Sequence, residues 1–258
     1  MALSTRREFL YLAAAASVGC AARGMSPLAS GSPAPGNPAP VVRAPAVGQS
    51  WRYAKHDYIT GELIDTQIDR VSQIGPSIEI ESRSETAELR PMAFPSWGES
   101  WWHTYLPADA AHSGGPIEIH RPWGMVAVDP HWSEMQSFEK AIPIWPAELR
   151  PGWSTVVSTR YKIPGSEEAM PWQLSMDARR WESVTVPAGH FMALRCFSFI
   201  DFRFSVFSER TAAQRMEHLW FAPEIGRWVK RESMGTFHEQ LHTEVKESSF
   251  RWELLSWT

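Results

Sequence analysis

The sequence predicts a mainly β protein made of curved antiparallel sheet, with at most one or two short helices, and three observations carry that reading. Apolar and polar residues alternate at period two through many short stretches, as in Ile78-Glu79-Ile80 and Val184-Thr185-Val186. Twenty prolines and sixteen glycines punctuate the chain closely enough to exclude long helices. Fourteen tryptophans and twelve phenylalanines supply the large rings that fill a sheet-bounded core. At 258 residues and 43% hydrophobic content the chain can bury a sizeable core.

Taken in order, the chain opens on Ser4-Thr5-Arg6-Arg7-Glu8-Phe9-Leu10 and an alanine-rich apolar run to Val18. That run is too short to span a bilayer permanently and has the basic front end of a cleaved signal. It resembles a twin-arginine translocation signal, which implies export in a folded state to the periplasm. Residues 1–22 are assigned to this signal. Gly19-Cys20 also fits a lipoprotein cleavage site, although Ser17 stands where Leu is usual. Cys20 is therefore either lipidated or discarded with the signal, and any membrane contact runs through that anchor. Residues 23–46 are rich in Pro, Ala, Gly and Ser and form an extended tether. Either fate of Cys20 leaves Cys196 without a partner in an apolar strand, where a thiol acts as a small hydrophobe.

The folded domain covers 47–258. Strands are expected at Trp51–Ala54, Leu63–Val71 and Ser77–Glu81, with turns at Thr60-Gly61 and Gly75-Pro76. From Pro91 to Pro146 eight prolines leave only short strands, Ile117–His120 and Met125–Val128, inside a Trp-rich insert. Further strands follow at Val156–Tyr161 and Gln173–Met176, then a hairpin over 181–207 that turns at Pro187-Ala188-Gly189. Ala212–His218 reads as a short helix. A turn at Glu224-Ile225-Gly226 leads into Arg227–Glu232 and two last strands ending at Trp257. Pro151-Gly152-Trp153 echoes the Gly48 to Trp51 opening, which suggests two related halves, 47–146 and 147–258.

Three motifs stand together: Gly48-x-x-Trp51, Val184-Thr185-Val186-Pro187-Ala188-Gly189-His190-Phe191, and Trp220-Phe221-Ala222-Pro223-Glu224-Ile225-Gly226-Arg227-Trp228-Val229. In combination they resemble an uncharacterised family of exported bacterial β proteins with V-P-A-G-x-F and Y-A-P-x-x-G-x-V motifs. This chain departs from the pattern with Phe221 in place of Tyr and with its long Trp-rich insert. The resemblance implies a curved antiparallel sheet and no catalytic residues, and fold alone does not deliver function.

A formal net charge of −4 without a block of like charge gives no support to a nucleic-acid surface. The one motif with chemistry in it is His238-Glu239-Gln240-Leu241-His242, an H-E-x-x-H pattern. On a helix, His238 and His242 would share a zinc ion, Glu239 would activate its water, and Glu247 or Glu253 could complete the set. On a strand the two histidines would stand about 13 Å apart, too far for one metal. The neighbours Phe237, Leu241 and Val245 suit a strand, and the leading reading has no cofactor and no catalytic residue. That reading is an envelope protein that binds an apolar or amphipathic ligand, or another envelope protein, on an aromatic-lined face. Candidate binding residues are Trp101, Trp102, Trp123, Trp132, Phe199 and Trp220. The alternatives are a zinc-dependent hydrolase on the C-terminal motif and a purely structural or assembly protein.

Overall fold

The computed structural model describes residues 40–85, 117–130, 135–204, 210–239 and 244–258. Strands β1 (Ser50–Asp57), β2 (Leu63–Ile74), β3 (Ile78–Ser84), β4 (Ile117–His120), β5 (Met125–Asp129) and β6 (Gln136–Pro143) come first. They are followed by β7 (Ser154–Lys162), β8 (Met170–Val186), β9 (Gly189–Arg203) and β10 (Arg210–Ala222). The last three are β11 (Arg227–Glu239), β12 (Glu244–Lys246) and β13 (Phe250–Trp257). From β1 to β10 every strand pairs antiparallel with the next in sequence. β10 then pairs with β11, β11 with β13, and β13 with β1, so that twelve strands close into a barrel and β12 attaches to the far half of β11. Closure removes the sheet edges that would otherwise template aggregation.

The barrel is taller on one side. β8 to β11 are 13 to 17 residues long, whereas β4 and β5 have four and five. The tall wall is built on the β8–β9 hairpin, whose register runs from Trp172↔Phe202 to Val186↔Gly189 and leaves a two-residue turn at Pro187-Ala188. Ala212–His218, expected as a helix, lies within β10. Ala213, Glu217 and Leu219 face inward and are buried, while Met216 faces out and is 43% exposed. A period of two satisfies that pattern, and pairing with both β9 and β11 overrides local helix preference.

The interior is layered. At the end where β8, β10 and β13 terminate, Trp51, Tyr53, Trp145, Phe221, Ile225 and Trp228 form one apolar cluster. Around the opposite ends of β8 and β9, Phe138, Tyr161, Trp172, Phe202 and Phe237 form another. The three sequence motifs converge in the first. Trp51 Nε1 and Gln49 Nε2 both donate to the Ile225 carbonyl, at 3.1 and 3.3 Å, and Val184, Val186 and Phe191 pack in the same cluster. The turn that presents that carbonyl, Pro223–Ile225, ends at Gly226, whose φ of 68° is left-handed and whose N–H bonds back to the Pro223 carbonyl. A Cβ at Gly226 would sit 2.6 Å from the Arg43 carbonyl oxygen, so the N-terminal strap depends on this glycine.

Candidate functional site

Charged side chains inside the barrel are the first place to look for chemistry. Period two in β2 turns Gln67, Asp69 and Val71 inward together, and β4 turns Glu118 and His120 inward. Arg227, the first residue of β11, reaches both. Its Nη2 donates to Asp69 Oδ2 at 2.7 Å and its Nη1 to Glu118 Oε1 at 3.1 Å, with all three groups at most 1% exposed. Gln67 Nε2 and Ser82 Oγ fill Asp69 Oδ1, each at 2.7 Å. The Gly124 N–H donates to His120 Nδ1 at 3.2 Å, which leaves Nε2 as the protonated nitrogen, donating to Glu118 Oε1 at 2.6 Å.

Further along the barrel Arg231 holds Glu217 through both carboxylate oxygens, at 2.7 and 2.9 Å. Lys55 is 6% exposed, its Nζ 4.0 Å from the Phe250 ring centroid. Burial, with the like charges of Arg215 and Arg231 against the single carboxylate of Asp65, lowers its pKa to about 8. Burial also pushes the Tyr53 phenol well up, which keeps it a neutral donor to the Trp228 carbonyl at 2.9 Å.

These groups are ties between strands. Asp69, Glu118 and His120 are sealed from solvent, and a group that no substrate atom can reach cannot exchange a proton with one. A cavity of about 40 Å³ lies between the two aromatic layers, with Asp129, Ser198, Glu217 and Arg231 as its polar lining and Leu174 and Met176 among its apolar lining. It has room for a few waters, whereas pockets for drug-sized ligands run to several hundred cubic ångströms.

The outside of the tall wall has a different character. The registers of β8, β9, β10 and β11 lay outward residues in rows across the sheet. Arg180, Arg195, Trp220 and Lys230 make one, Asp177, Phe197, His218 and Glu232 the next, and Ser175, Phe199, Met216 and Met234 a third. Arg195 and Lys230 flank the Trp220 ring at 5.2 and 4.7 Å, and its Nε1 donates to Glu182. Desolvation raises the Glu182 carboxyl, but the hydrogen bonds from Trp220 and Arg180 outweigh it and hold the group below its ordinary range. Arg179 lies 4.5 Å over Phe197, and His218 sits 5.2 Å from the same ring. Burial lowers the His218 pKa, and Arg195 and Arg179 lower it further, so this imidazole is neutral at neutral pH. On the outer side of β7 and β8, Ser154, Ser158, Arg160 and Gln173 are exposed, together with Val156 at 63%.

Of the binding residues expected from sequence, Trp123 lies in the β4–β5 turn, with ring centroids 4.7 Å from His120 and 5.1 Å from Trp145. Phe199 and Trp220 stand on neighbouring strands of the tall wall with the same parity, but Trp220 is only 6% exposed and packs in the first apolar cluster, so it offers no free face. Trp101, Trp102 and Trp132 lie outside the described residues, as do Cys20 and His242. His238 and Glu239 are the last residues of strand β11, where His238 pairs with Ala212 and Glu244, so the helix that a zinc site of the H-E-x-x-H type requires is not formed there. Among the described residues no three His, Cys, Asp or Glu side chains group as metal ligands. Reading the sequence by motif missed the Asp69–Arg227–Glu118 tie, since these residues lie far apart in the chain and no spacing rule joins them. The only hint was a charged residue at an inward position of each strand.

No protein-family model matches the chain, and no curated protein matches it. Two solved structures are similar. One is a candidate lipoprotein from Parabacteroides distasonis, 12% identical, with a TM-score of 0.48 over 85% of this chain and 99% of that one. The other is a candidate exported protein with a YmcC-like fold from Bacteroides fragilis, 11% identical, with a TM-score of 0.42 over the same shares.

Proposed function

We propose that this chain is an exported, non-catalytic envelope protein that binds another envelope protein on the outer face of β9 to β11. The observation that carries the reading is the outward row of Phe199, Met216 and Met234, edged by Phe197 and the cations Arg179 and Arg195. Aromatic, Met and Arg side chains on the outer side of a sheet suit a protein interface, where such residues anchor binding. A small apolar ligand would instead call for a concave pocket. Export rests on the Arg6-Arg7 signal and the Pro-rich tether, with Cys20 as the residue through which a lipid anchor would be attached. No feature of β11 favours the zinc hydrolase.

A photo-activatable cross-linking residue placed at Phe199 in cells of the source organism tests this. The expected outcome is a discrete adduct to another protein in the envelope fraction, absent when the cross-linker stands at the exposed polar position Gln173. No adduct at Phe199, or equal adducts at both positions, would overturn the reading.

A further inference from the structure

The outer side of the tall wall carries an imbalance of charge at one cross-strand pair. Arg180 of β8 and Arg195 of β9 stand directly opposite each other, where like charges repel. Arg180 is compensated, its Nε donating to Glu182 Oε2 at 2.8 Å, and the other oxygen of that carboxylate is taken by Trp220 Nε1. Two neighbouring carboxylates have cations of their own, since Asp177 holds Arg179 at 2.9 Å and Glu232 holds Lys230 at 2.8 Å. Arg179, Arg180 and Lys230 are thus each matched, and the remaining positive charge is that of Arg195. The Trp220 ring 5.2 Å from its guanidinium supplies cation–π attraction but no counter-charge. Among the described residues the Arg195 Nε is buried without a hydrogen-bond partner.

The place of this charge on β9 ties it to the apolar row. Arg195, Phe197 and Phe199 alternate outward along the strand, so Arg195 stands about 13 Å from Phe199, four residues at roughly 3.3 Å each. A protein seated on Phe199 and Met216 reaches that far, because a partner typically covers about 800 Å² of surface. A carboxylate accepts two parallel N–H bonds from a guanidinium, and a negative group placed here offsets the repulsion between Arg180 and Arg195. An anionic lipid would need a concave cleft for its chain, whereas the small cavity of this barrel lies on the inner side, between Leu174, Ser198 and Glu217. An acidic side chain of a folded partner needs only the outer surface.

We infer that Arg195 selects the partner, taking an Asp or Glu side chain that the partner presents beside the apolar group seated on Phe199. This rests on the reading of the outer face of β9 to β11 as a protein interface and names the chemistry that the interface recognises.

The test repeats the cross-linking from Phe199 in the full chain with Arg195→Glu, Arg195→Gln and Arg195→Lys. Lys140→Glu serves as a control that changes charge on the exposed side of β6. Arg195→Glu should lower the adduct yield at least about tenfold, and Arg195→Gln should lower it in the same direction. Arg195→Lys should keep most of the adduct and Lys140→Glu all of it. Thermal midpoints show which variants keep an intact barrel. An undiminished adduct in folded Arg195→Glu or Arg195→Gln would overturn this inference and leave the interface reading standing, whereas no adduct in the parent would overturn both. Equal losses in Arg195→Gln and Arg195→Lys would assign Arg195 to shape and not to charge, which also overturns it. So would an adduct with the mass of a lipid.

Discussion

Lys55 is a buried lysine whose ammonium lies beside aromatic rings, with the Asp65 carboxylate opposing the like charges of Arg215 and Arg231, and burial is the largest cause of its depressed pKa. A lysine whose folded pKa is about 8 and whose unfolded value is 10.5 is protonated more readily in the unfolded chain between those two values. Stability therefore rises with pH across that window, and the cost of keeping the ammonium buried is present in full below about pH 8. Lys55→Met should raise the urea midpoint at pH 7 and flatten the difference between pH 8 and pH 10.5 measured against the parent. An unchanged pH difference would show that Lys55 does not carry the burden. Cys196 sits at the opposite extreme, since burial pushes its thiol up and leaves it inert in the core.

Between elements, the Arg227 guanidinium joins three strands that hydrogen-bonded pairing keeps apart, β11, β2 and β4. Arg227→Met would leave Asp69 and Glu118 buried without their counter-charge, and removing one partner of a buried ion pair costs about 3–5 kcal/mol. The expected outcome is a loss of that size in chemical denaturation at pH 7, and a loss below about 1 kcal/mol would contradict the tie. Strands of this barrel were legible from sequence where alternation was clean. Ile117–His120 has the expected boundaries, β1, β2, β5 and β7 lie within a few residues of theirs, and the turn at Pro187-Ala188 is where Pro and Gly place it. β6 escaped notice because Ser137, Glu139 and Lys140 are exposed and its bulged pairing with β5 breaks the period. β10 was obscured for a different reason, as its Ala212-Ala213 start and Met216 favour a helix until two flanking strands impose their register. The outward rows of the tall wall were half visible. Phe199 and Trp220 were recognisable as aromatics, but their common face depends on pairings that no local pattern reveals.

On the scale of the whole molecule, closure decides where binding can occur. Twelve strands around a lumen could enclose a ligand, and among the described residues two clusters of buried side chains lie inside the barrel, with a cavity of about 40 Å³ lined mainly by residues of the second. The tall wall then offers its apolar and cationic rows to the exterior. The resemblance to exported β proteins anticipated the curvature of the sheet, and closure adds that the concave side is the core. The most direct measurement is the mass of the protein purified from its own envelope, taken first under native and then under denaturing conditions. The account predicts no excess of small-molecule size in the native species, any added mass being that of a whole protein partner. A native mass higher by one stoichiometric lipid or other small molecule would contradict it.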